Sequence, residues 1–301
     1  MTVQVYAPAK VILAGEHAVV YGKPAIALPL DRGVHVTVTR TDKIGPILVT
    51  GGLGGTSSCT VLHQSLERLV ELCGERVRQL QFHIEASIPS GSGLGSSAAL
   101  AVALIRGVHR FFEEPVSDDK VSQLAMELET IFHGRPSGVD HTVIAMAKPI
   151  YFKSGRAEIL SIAKPFQLIV GLTGTYAGTR EMVEGLRSRL NKNSTHIFDE
   201  IETIVNHMRD ALALGNLKHA GELMNANQIY LKELGVSTAN LDKLCEVARE
   251  HGALGAKLTG AGGGGGVIAL TDDKPERILQ AFEQAGCQAF VCELGCEDAL
   301  F

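Results

Sequence analysis

The stretch PSGSGLGSSAAL, from Pro89 to Leu100, limits what this chain can fold into more than any other. Before it, QFHIEASI alternates Phe82, Ile84 and Ala86 with His83 and Glu85, the period of a half-buried strand. After it, SAALAVALIRGVHRFF reads as a mostly apolar helix. Gly91, Gly93, Gly95, Ser96 and Ser97 therefore fall between a strand and a helix N-terminus. Backbone N–H groups without intrahelical acceptors and the positive end of the helix dipole together make an anion site there. Glycines let the backbone approach that anion closely, and two hydroxyls stand where a phosphate or its metal would lie. No Gly-Lys-Ser/Thr follows, and no acidic residue closes a parallel unit, so neither the Walker loop nor the dinucleotide fingerprint fits. Taken alone, the stretch could also be a tight turn.

A chain of 301 residues can hold one large domain or two ordinary ones. The strand-like YFK and AEILSI lead to Pro165 and the compact apolar run FQLIVGLT, so a boundary is expected near Lys164, giving domains 1–164 and 165–301. A net charge of −5 with no dense Lys/Arg run argues against a nucleic-acid partner, so attraction for an anionic ligand must be local. The six cysteines form no CxxC pair, which points to reduced thiols in a cytoplasmic protein. The opening MTVQVYAPAKVILAGEH lacks a basic leader, and no apolar run reaches the roughly 18 residues of a membrane span.

TVQVYA and KVILAG read as two strands interrupted by Pro8, with Lys10 opening the second. Glu16, His17, Tyr21 and Lys23 crowd a short glycine-bounded loop before the alternating strand GVHVTVTR. GGLGGTSS, 51–58, reads as a flexible loop, either ligand-facing or a connector. Val61, Leu62, Leu66, Leu69 and Val70 share one helical face. In SDDKVSQLAMELETIF, Ser117 is the expected N-cap and Val121, Leu124, Ala125, Leu128 and Phe132 form the apolar stripe. Glu127 and Glu129 flank that stripe on opposite sides, so periodicity does not say which turns inward. Within HGRPSGVD the glycines and Pro136 force a turn, and Asp140 opens the next helix as a cap or as something more.

The strand-like YFK and AEILSI precede the boundary near Lys164; after it come the apolar run FQLIVGLT and four helical patterns. GAKLTGAGGGGGVIAL then returns to strands around a glycine run too dense for a strand interior. Asp273 and Glu276 suggest a capping box for another helix, and QAFVCEL closes as a strand. This order indicates an α+β sandwich with helices on one face.

Four separated segments, PAKVILAGEHAVVYG, PSGSGLGSSAA, HGRPSGVD and KLTGAGGGGG, resemble the superfamily of galactokinase, homoserine kinase, mevalonate kinase and phosphomevalonate kinase. GEHAVVYGKPAIA together with HGRPSGVD is most similar to its mevalonate kinase branch. The resemblance implies an α+β, two-domain GHMP kinase fold, with a left-handed βαβ unit in the N-terminal ATP- and phosphate-binding domain and a ferredoxin-like C-terminal domain. It implies ATP- and Mg²⁺-dependent phosphorylation of the 5-hydroxyl of mevalonate, an early step of isoprenoid synthesis, with ATP as co-substrate. Carried onto this chain, it makes Pro89, Ser90, Gly91, Ser92, Gly93, Leu94, Gly95, Ser96 and Ser97 the ATP-binding loop. Ser97 and Glu129 would hold the metal, Lys10 and Asp140 would be the catalytic pair, and Glu16, His17 and Thr179 would lie near the substrate.

Those residue types suit the reaction. Phosphoryl transfer needs positioning and charge neutralisation more than covalent help. A carboxylate such as Asp140 can take the hydroxyl proton, and an ammonium such as Lys10 can keep that carboxylate ionised. A related small-molecule kinase acting on phosphomevalonate or a sugar stays open, as does a nucleotide-binding regulator without catalysis. The expected partners are small molecules, with no nucleic acid and no membrane, and a homodimer is open to such a chain.

Overall fold

The computed structural model describes residues 1–42, 47–52, 59–133, 136–175, 178–190 and 192–295. They form two compact units, neither of them contiguous in sequence. The first comprises 1–10, 32–90 and 95–147, and the second 11–31, 91–94 and 148–301.

Two long strands, β1 (Thr2–Ala14) and β2 (Ala25–Arg40), each run through both units. In the first unit, Val34–Arg40 of β2 pairs antiparallel with β4 (Leu80–Ala86), Val34 opposite Ala86 and Arg40 opposite Leu80. Parallel to β4 runs β3 (Leu48–Gly52), and α1 (Cys59–Cys73) makes the crossover between them. A parallel pair requires such a crossover, and α1 supplies it with Leu66, Leu69 and Val70 buried. Three more helices complete this unit: α2 (Ser96–Phe111), α3 (Asp118–His133) and α4 (Val139–Met146). Ser117 Oγ caps α3 by accepting the Lys120 N–H at 3.3 Å, as its position predicts.

In the second unit, Ala25–Ala27 of β2 pairs with β5 (Ile150–Lys153), which turns back into β6 (Arg156–Ile159). Strand β7 (Phe166–Leu172) is followed by α5 (Thr179–Arg189), α6 (Lys192–Ala213), α7 (Leu217–Glu233) and α8 (Ala239–Glu250). The chain then forms β8 (Gly255–Thr259), β9 (Gly266–Thr271), α9 (Pro275–Gln284) and β10 (Gln288–Leu294). The four strands β7 to β10 make an antiparallel sheet in the order β10-β7-β9-β8, the ferredoxin-like arrangement. No helix among the described residues is long and apolar enough to cross a membrane.

Several readings of the sequence are corrected. TVQVYA and KVILAG are one strand, because β1 pairs with β2 off the main strand order and Pro8, lacking an N–H, interrupts nothing on an edge. AIALPL belongs to β2; buried from Ala25 to Leu30, it shows none of the alternation that marks a half-buried strand. Gly51 and Gly52 end β3 instead of opening a loop, while 53–58 lie outside the described residues. The Asp273–Glu276 capping box does not form: α9 starts at Pro275 with Lys274 at its cap, at φ 54° and without a side-chain cap bond. Proline at the first helical position restricts the residue before it to a non-helical conformation, which moves the start past Asp273.

Candidate active site

The glycine stretch enters α2 through Gly95, which has φ 75° and accepts the helix's first backbone bond from the Ala99 N–H at 2.9 Å. Gly91 and Gly93 also have positive φ, 77° and 81°. Positive φ costs glycine little, and without a Cβ the backbone at each of these positions can be approached closely by an anion. Pro89, Ser90 and Gly95–Ser97 belong to the first unit and Gly91–Leu94 to the second.

Within the first unit, the sequence-selected side chains converge. Lys10, on β1 and 2% exposed, places Nζ 3.0 Å from Oδ1 of Asp140, in the first turn of α4. A Cβ at Gly95 would sit 2.9 Å from both Cγ and Cε of Lys10, so the glycine leaves room for the lysine stem. Glu129 on α3 is 1% exposed, while Glu127 lies at the surface and pairs with Arg68 at 2.7 Å. The structure thus separates the two acids that helical periodicity left equivalent. Burial raises the Glu129 pKa to about 8, the nearby Asp140 charge pushes it the same way, and a hydrogen bond from Ser97 and the Lys10 charge pull it down. Next to Asp140, His141 is held neutral by burial, its pKa lowered to about 4, and its Nδ1 lies 2.9 Å from Ser122 Oγ.

A buried carboxylate raised in this way is stabilised by an added cation, and the available donors are hard oxygens from Glu129 and the Ser97 hydroxyl. This donor set fits Mg²⁺, which typically takes one or two protein ligands and completes its shell with phosphate and water.

The second unit gathers another group. Glu16 and Lys257 form a fully buried ion pair, 1% and 0% exposed. His17, at φ 60°, puts Nε2 2.9 Å from the Ala261 carbonyl, and its pKa is lowered to about 4 chiefly by burial. The Gly91–Leu94 stretch packs on the glycine turn after β8: a Cβ at Gly260 would meet Gly93 Cα at 2.8 Å, and one at Gly93 would meet the Thr259 carbonyl at 2.9 Å. The run after Thr259 is therefore a backbone-to-backbone contact surface, a role that composition alone does not reveal. Lys257 escaped the sequence reading although a lysine between Ala256 and Leu258 in an apolar strand was its signal. Thr179 is the first residue of α5, and 176–177 before it lie outside the described residues.

Comparison with known proteins places this geometry in a family. Residues 61–148 match the GHMP kinases N terminal domain, and residues 208–288 match the GHMP kinases C terminal region. The mevalonate kinase of Thermococcus sibiricus is 34% identical over 99% of this chain and 97% of its own length. The crystal structure of Methanococcus jannaschii mevalonate kinase is similar with a TM-score of 0.83 and 27% identity, over 98% of each chain. L. major mevalonate kinase, crystallised in complex with R-mevalonate, is similar with a TM-score of 0.83 and 25% identity, over 99% of this chain and 97% of that one. Both kinase regions in order, and likeness along the full length, make the conclusion plain: this chain belongs to the GHMP kinase family, in its mevalonate kinase branch.

Proposed function

We propose that the protein transfers the γ-phosphoryl group of ATP to the 5-hydroxyl of mevalonate, giving 5-phosphomevalonate and ADP. The observation that carries this reading is the Lys10–Asp140 pair, 3.0 Å apart, beside Ser97 and the buried Glu129, in a chain similar to mevalonate kinases throughout. Asp140 is about one-third exposed while Lys10 is sealed. That asymmetry suits a base that must meet a substrate and a cation that must stay fixed.

In the proposed mechanism the glycine stretch 89–97 and the N-terminus of α2 cradle the phosphates of ATP. Asp140 takes the proton as the 5-oxygen attacks the γ-phosphorus, and the bond from that phosphorus to the β-bridging oxygen breaks, releasing ADP. Lys10 holds Asp140 in place through their ion pair before the step and stabilises negative charge on the attacking oxygen during it. When bound at Ser97 and Glu129, Mg²⁺ supplies neutralisation of the phosphate charge. Glu16, His17 and Thr179 are assigned to the acceptor side. A coupled ADP-release assay over mevalonate, phosphomevalonate, galactose and homoserine tests the reading. Turnover is expected on mevalonate; preference for another acceptor, or ATP binding without turnover on any, overturns it.

A further inference from the structure

Lys257 lies inside β8 between the apolar Ala256 and Leu258. It is fully buried, as is Glu16, and its Nζ donates both to the Glu16 carboxylate and to the Leu258 carbonyl at 2.7 Å. Removing two ions from water costs several kcal/mol for each, and such a pair is often no more stabilising than apolar residues of the same volume. The pair instead sits among bonds that tie the Gly15–His17 turn to α7 and to the turn after β8, and β8 itself to α7. The Gly15 N–H donates to Asn227 Oδ1 at 3.2 Å, and the Leu258 N–H donates to Gln228 Oε1 at 2.9 Å. His17 Nε2 meets the Ala261 carbonyl at 2.9 Å. A carbonyl only accepts, so this contact puts the imidazole proton on Nε2. His17 has φ 60°, a conformation costly for a residue with a Cβ, and it persists only where its surroundings hold it.

We propose that Lys257 is a positioning residue: by neutralising Glu16 it anchors the Gly15–His17 turn to β8 and so fixes the ring and tautomer of His17 on the acceptor side. This rests on the reading that mevalonate is the acceptor and that His17 lies near it. The charge of Lys257 also opposes protonation of His17, adding to the larger effect of burial, while the bond to Ala261 acts the other way. Glu16, expected from the sequence near the substrate, then acts through the turn it holds.

The test compares Lys257→Met with the double variant Glu16→Gln/Lys257→Met. In the single variant a carboxylate stays buried without its cation, so Tm falls; the double variant leaves no buried charge and regains it. Both are expected to raise the KM for mevalonate at least about tenfold, because a displaced turn misplaces its contact. The KM for ATP should stay within about twofold in both, since the lost ion pair holds the Gly15–His17 turn and not the Gly95–Ser97 entry to α2. In ¹⁵N spectra the His17 imidazole, assigned by the loss of its signals in His17→Gln, should show the Nε2–H tautomer in the native protein. That signature should be lost in the double variant. A double variant with native KM and an unchanged His17 signal overturns the proposal, and it decides the matter even if the single variant does not fold. If the native protein does not phosphorylate mevalonate, the substrate reading fails, and the His17 signal still decides the role of Lys257.

Discussion

Asp140 and Glu129 are both carboxylates in the first unit, and their surroundings give them different work. Asp140 keeps about a third of its side chain open and contacts Lys10. Asp140→Asn keeps the shape and removes the base, so kcat should fall roughly 10²–10⁴-fold with Tm and ATP affinity retained. Near-native turnover in stopped assays would reduce Asp140 to an acid in a helix's first turn. Glu129 is buried beside it and hydrogen-bonded by Ser97. Glu129→Gln is therefore expected to raise the Mg²⁺ concentration for half-maximal rate severalfold, whereas Glu127→Gln, which loses only a surface pair with Arg68, should leave the titration unchanged. Superimposable titrations for Glu129→Gln and the native enzyme would remove Glu129 from the metal site.

Among the elements, α2 is one whose entry depends on a residue without a side chain. At φ 75°, Gly95 is strained by any substitution, and a Cβ there meets the Lys10 stem at 2.9 Å. Gly95→Ala should lower both ATP affinity by calorimetry and kcat, with helical content by circular dichroism unchanged; native kinetics would mean the stem can simply move aside. The turn into α3 is simpler: Ser117→Ala removes one cap bond and should cost about 1 kcal/mol in urea unfolding, without touching KM. These elements differ in how legible they were. α3 and β4 were readable because each buries one face and exposes the other, which writes its period into the sequence, whereas α2, buried nearly all round, was readable from its long apolar run. The first part of β2 was not, because burial from Ala25 to Leu30 erases alternation, and β1 was cut in two because Pro8 looks the same on an edge as in an interior. At the site, Lys10 and Asp140 were nameable through motif resemblance, but the inward turn of Glu129 and the pairing of Lys257 with Glu16 depend on tertiary packing. Nothing within α3 or β8 alone encodes either.

At the scale of the whole molecule, buried titratable groups set how stability responds to pH, and three of them decide the shape. His17 and His141 each have a pKa lowered from 6.5 to about 4, so the unfolded chain takes up protons that the folded one refuses. Their contribution is fully present above pH 6.5 and is lost as pH falls toward 4. Glu129 works in the opposite sense: its pKa is raised from 4.5 to about 8, so the folded state keeps a proton that the unfolded chain releases, and stability is lost as pH rises through that interval. Each group changes stability by about 1.4 kcal/mol per pH unit within its window. Between pH 4.5 and 6.5 these two histidines, joined by His109, whose pKa burial also lowers, oppose one carboxylate, so acidification destabilises on balance; between 6.5 and 8 Glu129 acts against none of them, and raising the pH destabilises. Salt-bridged acids such as Glu202, with a lowered pKa, deepen the acid limb below about their ordinary range. Without Mg²⁺, thermal melts should therefore peak near pH 6.5. His141→Gln should make the acid limb shallower, and Glu129→Gln should flatten the alkaline limb while leaving the acid limb in place. Added Mg²⁺ should restore stability on the alkaline side of the native protein and do little for Glu129→Gln. A profile flat from pH 4.5 to 6.5, or an alkaline limb that survives the loss of Glu129, would show that other groups dominate.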